Sequence, residues 1–490
     1  MNGVGIGLIV AYLLACIAIG IIAQRRMAKS AQSGADYYVA GRSVSTWVNS
    51  LAILSATGSG GTFLASVGTI WNVGLAWYAW AMGGSIVGFT IASILVARTY
   101  RSTKRTTVAS YLALRFPSSR ILVIGVPVVI VIGTAMYLIS QMSAGGLVAS
   151  YVTGLPFEWA LVVIAVVFII YTSMGGMLAV TWTNVLQGMM VLLLTAILAG
   201  FGLAAMPVSW GDFIQAAADM NPIYGTAGDG MSRLTYAGAF VTWAAAICVT
   251  PHIITRAFTA KSVRSSMVSL NGSMVLFGVV LLALGLIVTP HISGLDPADL
   301  EGTRSDMWTL LIAEMLVPEI LLGLIVAGIL AAIMSTVDAL LLAVSSSVGH
   351  DLYNVFAKDR KNDKTSVRIA TASSWAIGIL CLLLTLNPPE LLMLFYTAAI
   401  GLFVSCLFVP VVAGMWWKHI NPAGAAAGFL TGLIVFGVLY GAFDMPSNSE
   451  VLVALPLSFI ATIVVSLVAG GEKADVVAHE KQTQRQAASV

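Results

Sequence analysis

Charge is scarce in this chain: 9% of its 490 residues are Asp, Glu, Lys or Arg, while 59% are hydrophobic. Soluble domains carry roughly 25% charged residues. Too little polar surface exists here to face water, so lipid must be the solvent for most of the fold. Cysteine is sparse as well. Cys16, Cys248, Cys381 and Cys406 lie inside apolar runs, where the thiol acts as a small hydrophobe. Their spacing fits neither a disulfide framework nor a metal site. The five histidines are scattered and no His-Glu-x-x-His occurs, which removes a metalloprotease reading. Period-two alternation is also missing. Runs such as 121–132 and 189–203 are continuously apolar, unlike β-barrel spans of about ten alternating residues. No basic region precedes the first apolar run near Gly3 and no small-residue cleavage site follows it, so it is expected to remain as a span.

What is present are runs long enough for helices to cross about 30 Å of hydrocarbon. Thirteen spans are expected: 3–24, 45–71, 75–98, 121–151, 157–175, 181–206, 235–258, 268–290, 317–347, 368–386, 390–416, 422–442 and 451–469. An odd count sets the termini on opposite sides. With the N-terminus outside and the C-terminus inside, all of the 24 basic residues except Arg233 and Arg304 fall in inside segments. Asp212, Asp219, Asp229, Asp296, Asp299, Glu301, Asp306, Asp444 and Glu450 fall outside. That is the positive-inside asymmetry. Trp71, Trp77, Tyr78 and Trp80 are assigned to an outer aromatic belt, and Trp416 with Trp417 to an inner one. Residues 1–470 thus read as one transmembrane domain, with 471–490 a disordered cytoplasmic tail. The chain is expected to be a multi-pass protein of a cell inner or plasma membrane. Its partners would be the bilayer and a small solute, with no nucleic acid and no obligate protein partner.

Span 2 carries Ser55-Ala56-Thr57-Gly58-Ser59-Gly60-Gly61-Thr62 near its middle. Such residues serve close helix packing or an unwound segment whose freed carbonyls coordinate a cation. Three glycines and four hydroxyls in eight residues exceed what packing needs. Span 9 carries Ala331-Ala332-Ile333-Met334-Ser335-Thr336-Val337-Asp338. An acid at mid-membrane is costly and marks function by default. Ser335, Thr336 and Asp338 put three oxygen-bearing side chains within one turn, as a hard monovalent cation such as Na+ requires. The other reading of Asp338 is a buried carboxylate paired with a helix amide. Span 7 contains Cys248-Val249-Thr250-Pro251-His252, where proline removes an amide and kinks the helix. His252 reads there as a packed or inner-mouth histidine. The two breaks lie five spans apart, which predicts inverted repeats over about 45–206 and 235–416, with 3–24, 422–442 and 451–469 peripheral.

Four stretches, in order over residues 36–353, resemble motifs of the sodium/solute symporter family. They are Asp36-Tyr37-Tyr38-Val39-Ala40-Gly41-Arg42; Gly175-Gly176-Met177-Leu178-Ala179-Val180-Thr181-Trp182-Thr183-Asn184-Val185-Leu186-Gln187; Pro251-His252-Ile253-Ile254-Thr255-Arg256; and Ala331 to Asp338, continuing to Asp351-Leu352-Tyr353. Hydropathy carries the likeness to about residue 470. The resemblance implies an all-α, leucine-transporter-like fold of inverted five-helix repeats, a carrier rather than an enzyme, and Na+ as the coupling ion. It implies a sodium site built from Ser55 and Gly58 in the first break and Ala332, Ser335 and Thr336 in span 9. Substrate would lie beside that break, against Thr57, Ser59 and Thr62, with Gln141 and Trp243 completing the pocket. Some members hold a second sodium with an aspartate in the span-6 signature. Here that position is Asn184, and Asp338 lies nearby in sequence motif, so these two are the candidates for a second ion site.

The stretch Tyr137-Leu138-Ile139-Ser140-Gln141-Met142, the Gly-Gly-Met-Leu-Ala signature and Pro251-His252 are most similar to the acetate and pantothenate branches, which carry small carboxylates. No basic residue is expected near mid-membrane, so a helix N-terminus or unwound amides would hold such an anion. The expected activity is therefore Na+-coupled import of a small carboxylate by alternating access. The alternatives are a neutral amino acid of the proline type, and proton coupling through Asp338 on the same fold. A channel, the remaining rival, would carry flux without accumulation.

Overall fold

A computed structural model describes residues 3–29, 34–173, 176–226, 231–357, 362–387, 392–443 and 445–470. The tail 471–490 lies outside the described residues. Within lipid every backbone N–H must find its acceptor in its own segment, and the apolar runs accordingly fold as helices. In chain order the main ones are α1 (Gly3–Lys29), α2 (Gly34–Val39), α3 (Thr46–Thr57), α4 (Gly61–Val73), α5 (Leu75–Leu95), α6 (Val108–Arg115), α7 (Arg120–Thr153), α8 (Phe157–Ser173) and α9 (Gly176–Ala204). They continue as α10 (Arg233–Val249), α11 (Pro251–Thr259), α12 (Val263–Ala283), α13 (Glu319–Ser346), α14 (Asp363–Thr385), α15 (Leu392–Trp416), α16 (Pro422–Ala442) and α17 (Glu450–Val468).

Eleven helices among the described residues are long and apolar enough to cross a membrane, and the bent pair α3–α4 makes twelve. The expected span over 157–175 is α8, whose apolar stretch Phe157–Ile170 is shorter than the others. Among the described residues, several segments that the charge pattern grouped on one side are joined by contacts. Arg42 Nη2 donates to the Lys104 carbonyl at 2.5 Å. The Arg101 guanidinium donates to the carbonyls of Ala260 and Lys261. Arg115 Nε donates to the Gly414 carbonyl at 2.7 Å, and the Thr107 hydroxyl donates to the Asp351 carboxylate. We call this the basic face. At the opposite, acidic face, Tyr151 reaches Glu314 and Arg304 pairs with Asp306.

Helix α13 runs through the centre. Every residue from Ile325 to Ser346 is buried, which is why its sequence is apolar all round rather than on one stripe. Small and hydroxyl residues line the contact of α3 with α12: Asn49 Nδ2 donates to Ser269 Oγ at 2.9 Å, and Ser273 Oγ to the Ser50 carbonyl at 2.9 Å. Close packing satisfied by side-chain hydroxyls is how helices associate where lipid removes the hydrophobic drive.

The outer aromatic belt needs correction. Trp80 is exposed, but Trp77 and Tyr78 are buried, and the Tyr78 hydroxyl donates to the Leu281 carbonyl at 2.9 Å. They turn inward because α5 packs its aromatic face on α10 and α12, not on lipid. The assignment of Arg256 to an inside loop is also corrected: it lies within α11 and is fully buried.

Both expected breaks are present. Helix α3 ends at Gly58 (φ −74°, ψ 91°), and α4 leaves at 59° to it. Thr250, between α10 and α11, has an extended backbone (φ −66°, ψ 112°) with Pro251 opening α11. Two glycines make the first break compact. A Cβ on Gly60 would sit 2.8 Å from Ala144 Cβ and 2.9 Å from Ile333 Cγ1, and one on Gly61 would sit 2.7 Å from the Tyr396 ring. Gly60→Ala should therefore lower stability by about 1–3 kcal/mol, the usual cost of overpacking. A thermal melt of purified protein as stable as wild type would refute this packing account.

Candidate functional site

The first break is best understood through its backbone amides. In an unbroken helix the Ser59 amide would close on Ser55 and the Gly60 amide on Ala56. Here Ser59 N–H donates to Thr62 Oγ1 at 3.2 Å and Gly60 N–H to Gln141 Oε1 at 2.9 Å. The carbonyls of Ser55 and Ala56 are thereby released from the ladder. The Thr62 amide, which would close on Gly58, instead donates to the Ser59 carbonyl at 2.9 Å.

Helix α13 brings hydroxyls to those freed carbonyls. Ser335 Oγ lies 2.7 Å from the Ser55 carbonyl and 2.9 Å from that of Ala332. Thr336 Oγ1 lies 3.5 Å from the Ala56 carbonyl and 3.0 Å from that of Ala332. Ser55 Oγ is buried and has no hydrogen-bond partner among the described residues. Of the expected ion ligands, Ser55, Ala332, Ser335 and Thr336 thus meet in one cluster of neutral oxygens. Gly58 ends α3 one turn later, with its N–H on the Leu54 carbonyl at 2.7 Å. The Ala56 carbonyl is a member that motif reasoning did not name. Hard, uncharged oxygens at the carbonyl end of a half-helix suit an alkali cation, because the helix dipole adds negative potential there.

Beside this cluster lies a cavity of about 50 Å³. Thr57, Ser59, Thr62 and Trp243, four of the five expected substrate residues, line it. The fifth, Gln141, does not; it works on the backbone of the break, as described above. Trp77, Tyr78, Tyr137 and Tyr396 add an aromatic wall. Tyr137 stacks on Tyr396 with ring centroids 5.6 Å apart. Sequence reasoning missed this aromatic box, since aromatic residues in apolar runs carry no periodic mark that separates a pocket from packing. No carboxylate or basic side chain is among the described lining residues. On the acidic side, the Thr309 hydroxyl donates to the Phe63 carbonyl at 2.5 Å and Ser305 packs on Gly68. Next to it, burial pushes the Asp306 carboxyl above the usual carboxylate range, partly offset by Arg304 at 2.8 Å.

The two second-ion candidates have different surroundings. Asn184 belongs to a hydrogen-bonded chain: its amide oxygen accepts from Arg256 Nη2 at 2.8 Å, and its amide nitrogen donates to Gln187 Oε1 at 2.8 Å. This orientation follows from donor–acceptor matching. Arg256 Nη1 also donates to Thr181 Oγ1 at 2.9 Å. A guanidinium held this close repels a metal cation, so we assign no ion to Asn184. Asp338 is fully buried and accepts from the Thr172 hydroxyl at 2.5 Å.

The model of the Sodium:solute symporter family matches residues 37–432. The chain is 27% identical over 436 residues to the uncharacterized symporter YwcA of Bacillus subtilis (strain 168), covering 86% of this chain and 83% of that one. Its fold is similar to that of a Na+-coupled sialic acid symporter in a substrate-bound outward-open state, with a TM-score of 0.79 and 18% identity over 95% of this chain and 98% of the other. It is also similar to Mhp1, a nucleobase-cation-symport-1 family transporter, in a closed conformation with bromovinylhydantoin bound. There the TM-score is 0.52, with 14% identity, covering 89% of this chain and 96% of that one. The fold is leucine-transporter-like.

Gln141 replaces a lost helix bond, so Gln141→Leu strands the Gly60 amide in a dry interior. The cost should be about 1–3 kcal/mol, read as a lower melting temperature. Unchanged melting would show that the amide finds another acceptor.

Proposed function

This chain belongs to the sodium:solute symporter family, and from that premise we propose that it accumulates a small carboxylate together with Na+ by alternating access. It is a multi-pass membrane carrier and not an enzyme. In this reading the ion sits among the carbonyls of Ser55, Ala56, Gly58 and Ala332 and the hydroxyls of Ser335 and Thr336. The observation that carries it is the 2.7 Å approach of Ser335 Oγ to the Ser55 carbonyl, across 280 residues of sequence. One Na+ held there ties the broken helix to α13 and fixes the wall that Thr57, Ser59 and Thr62 present to the solute. By linkage, ion and solute then raise each other's affinity equally. Each inward positive charge contributes about 2.3 kcal/mol per 100 mV of membrane potential. The basic face is the cytoplasmic one on the positive-inside rule, and the membrane a cell inner or plasma membrane.

One feature of the cavity supports a small carboxylate. Its hydroxyl donors match a carboxylate, whereas the ammonium of an amino acid has no acidic partner among the described lining residues.

In proteoliposomes an inward Na+ gradient should drive acetate accumulation, and K+ in its place should not. Thr336→Ala should raise the half-saturating Na+ concentration by about tenfold, equivalent to about 1.4 kcal/mol of ion binding. An unaltered Na+ requirement would remove the site. A second reading, proton coupling, is favoured by Asp338, a buried acid bonded to the neutral hydroxyl of Thr172. Under it, a pH gradient alone would drive uptake without Na+, and Asp338→Asn would abolish that uptake.

A further inference from the structure

The second break holds buried donors that the central cavity does not use. His252, in the first turn of α11, is 2% exposed, yet neither ring nitrogen has a hydrogen-bond partner among the described residues; Thr250 is fully buried and its hydroxyl is likewise unpartnered among them. Buried polar atoms left unpaired are costly, and two such side chains within three residues at a helix opening mark a place where a ligand completes the bonding. The Thr250 carbonyl already caps the amides of Ile253 and Ile254; what remains are the Thr250 hydroxyl and the imidazole, each able to donate one hydrogen bond.

Position gives these donors a role. The His252 ring meets the Tyr137 ring edge-on, with centroids 5.2 Å apart. Tyr137 lines the central cavity and His252 does not. Helix α11 then leads away from the cavity to the basic face, where the Thr259 and Lys261 backbones bond Val44 and the Arg101 guanidinium holds the carbonyls of Ala260 and Lys261. One turn beyond His252 is Arg256, locked to Thr181 and Asn184. Its fixed positive charge lowers the potential energy of an anion on α11, and the α11 N-terminus adds to that field.

We propose that Thr250 and His252 form a second carboxylate station, between the central cavity and the basic face, which takes the solute once Tyr137 moves off the imidazole. The neutral imidazole donates one N–H and Thr250 its O–H to the carboxylate, so the anion passes between sets of donors without crossing an apolar barrier. This rests on the carboxylate reading above.

The test uses the full-length protein, with radiolabelled acetate, propionate and pantothenate, in Na+-dependent equilibrium binding and in proteoliposome uptake. His252→Leu should slow uptake of the transported carboxylate by about tenfold or more, as expected for one lost hydrogen bond to a charged group, while the Kd at the central cavity stays within about twofold. His252→Gln, which keeps an N–H donor, should restore most of the rate, and Thr250→Val should slow uptake with the same unchanged Kd. Wild-type-like uptake by His252→Leu, parallel loss of binding and uptake, or a Gln variant as slow as Leu would each overturn the station. If the wild type takes up none of the three carboxylates, the carboxylate reading itself falls and the station falls with it.

Discussion

Two carbonyl groups taken out of a helical ladder organise this molecule. Once the Ser59 and Gly60 amides turn to Thr62 and Gln141, the Ser55 and Ala56 oxygens must find other partners, because lipid offers none. The hydroxyls of Ser335 and Thr336 meet them. The break is thus stable only in the presence of α7, which satisfies its amide, and α13, which satisfies its carbonyls. A half-satisfied break would be strongly unfavourable, so the three elements stand or fall together.

The same arrangement separates charge with no charged side chain among the described residues that line the central cavity. The carbonyl end of α3 offers negative potential for a cation, while the opening of α11 offers positive potential for an anion. Arg256, the buried cation of α11, is spent on Asn184 and Thr181 rather than on the cavity. It contributes field instead of a direct contact. The aromatic box of Tyr137, Tyr396, Trp77 and Trp243 gives the cavity rigid walls with few rotatable bonds.

Much of the fold was legible in the sequence. Helical spans follow from run length, the two breaks from Gly58–Gly61 and Pro251, and the grouping of several basic loops from the distribution of Lys and Arg; contacts such as Arg42 to Lys104 join loops that the charge pattern grouped. Oxygen-rich stretches around Ser55 and Ser335 identified the partners of the central cluster. Trp77 and Tyr78 were misplaced, because an aromatic near a span end reads as interfacial whether it faces lipid or protein. Arg256 was misplaced for a similar reason: hydropathy puts an arginine at a helix end in water and cannot see the acceptors on α9.

By itself the sequence determined element type, the sites of chain breaking and the asymmetry of charge, since each depends on residues close together along the chain. Tertiary structure alone decided which donors stay unpaired. Among the described residues His252, Thr250 and the Gln141 amide nitrogen lack partners, while the Gln141 amide oxygen accepts from Gly60. That difference arises from contacts over long sequence separations, where one helix either does or does not bring an acceptor within about 3 Å, and no local pattern encodes it.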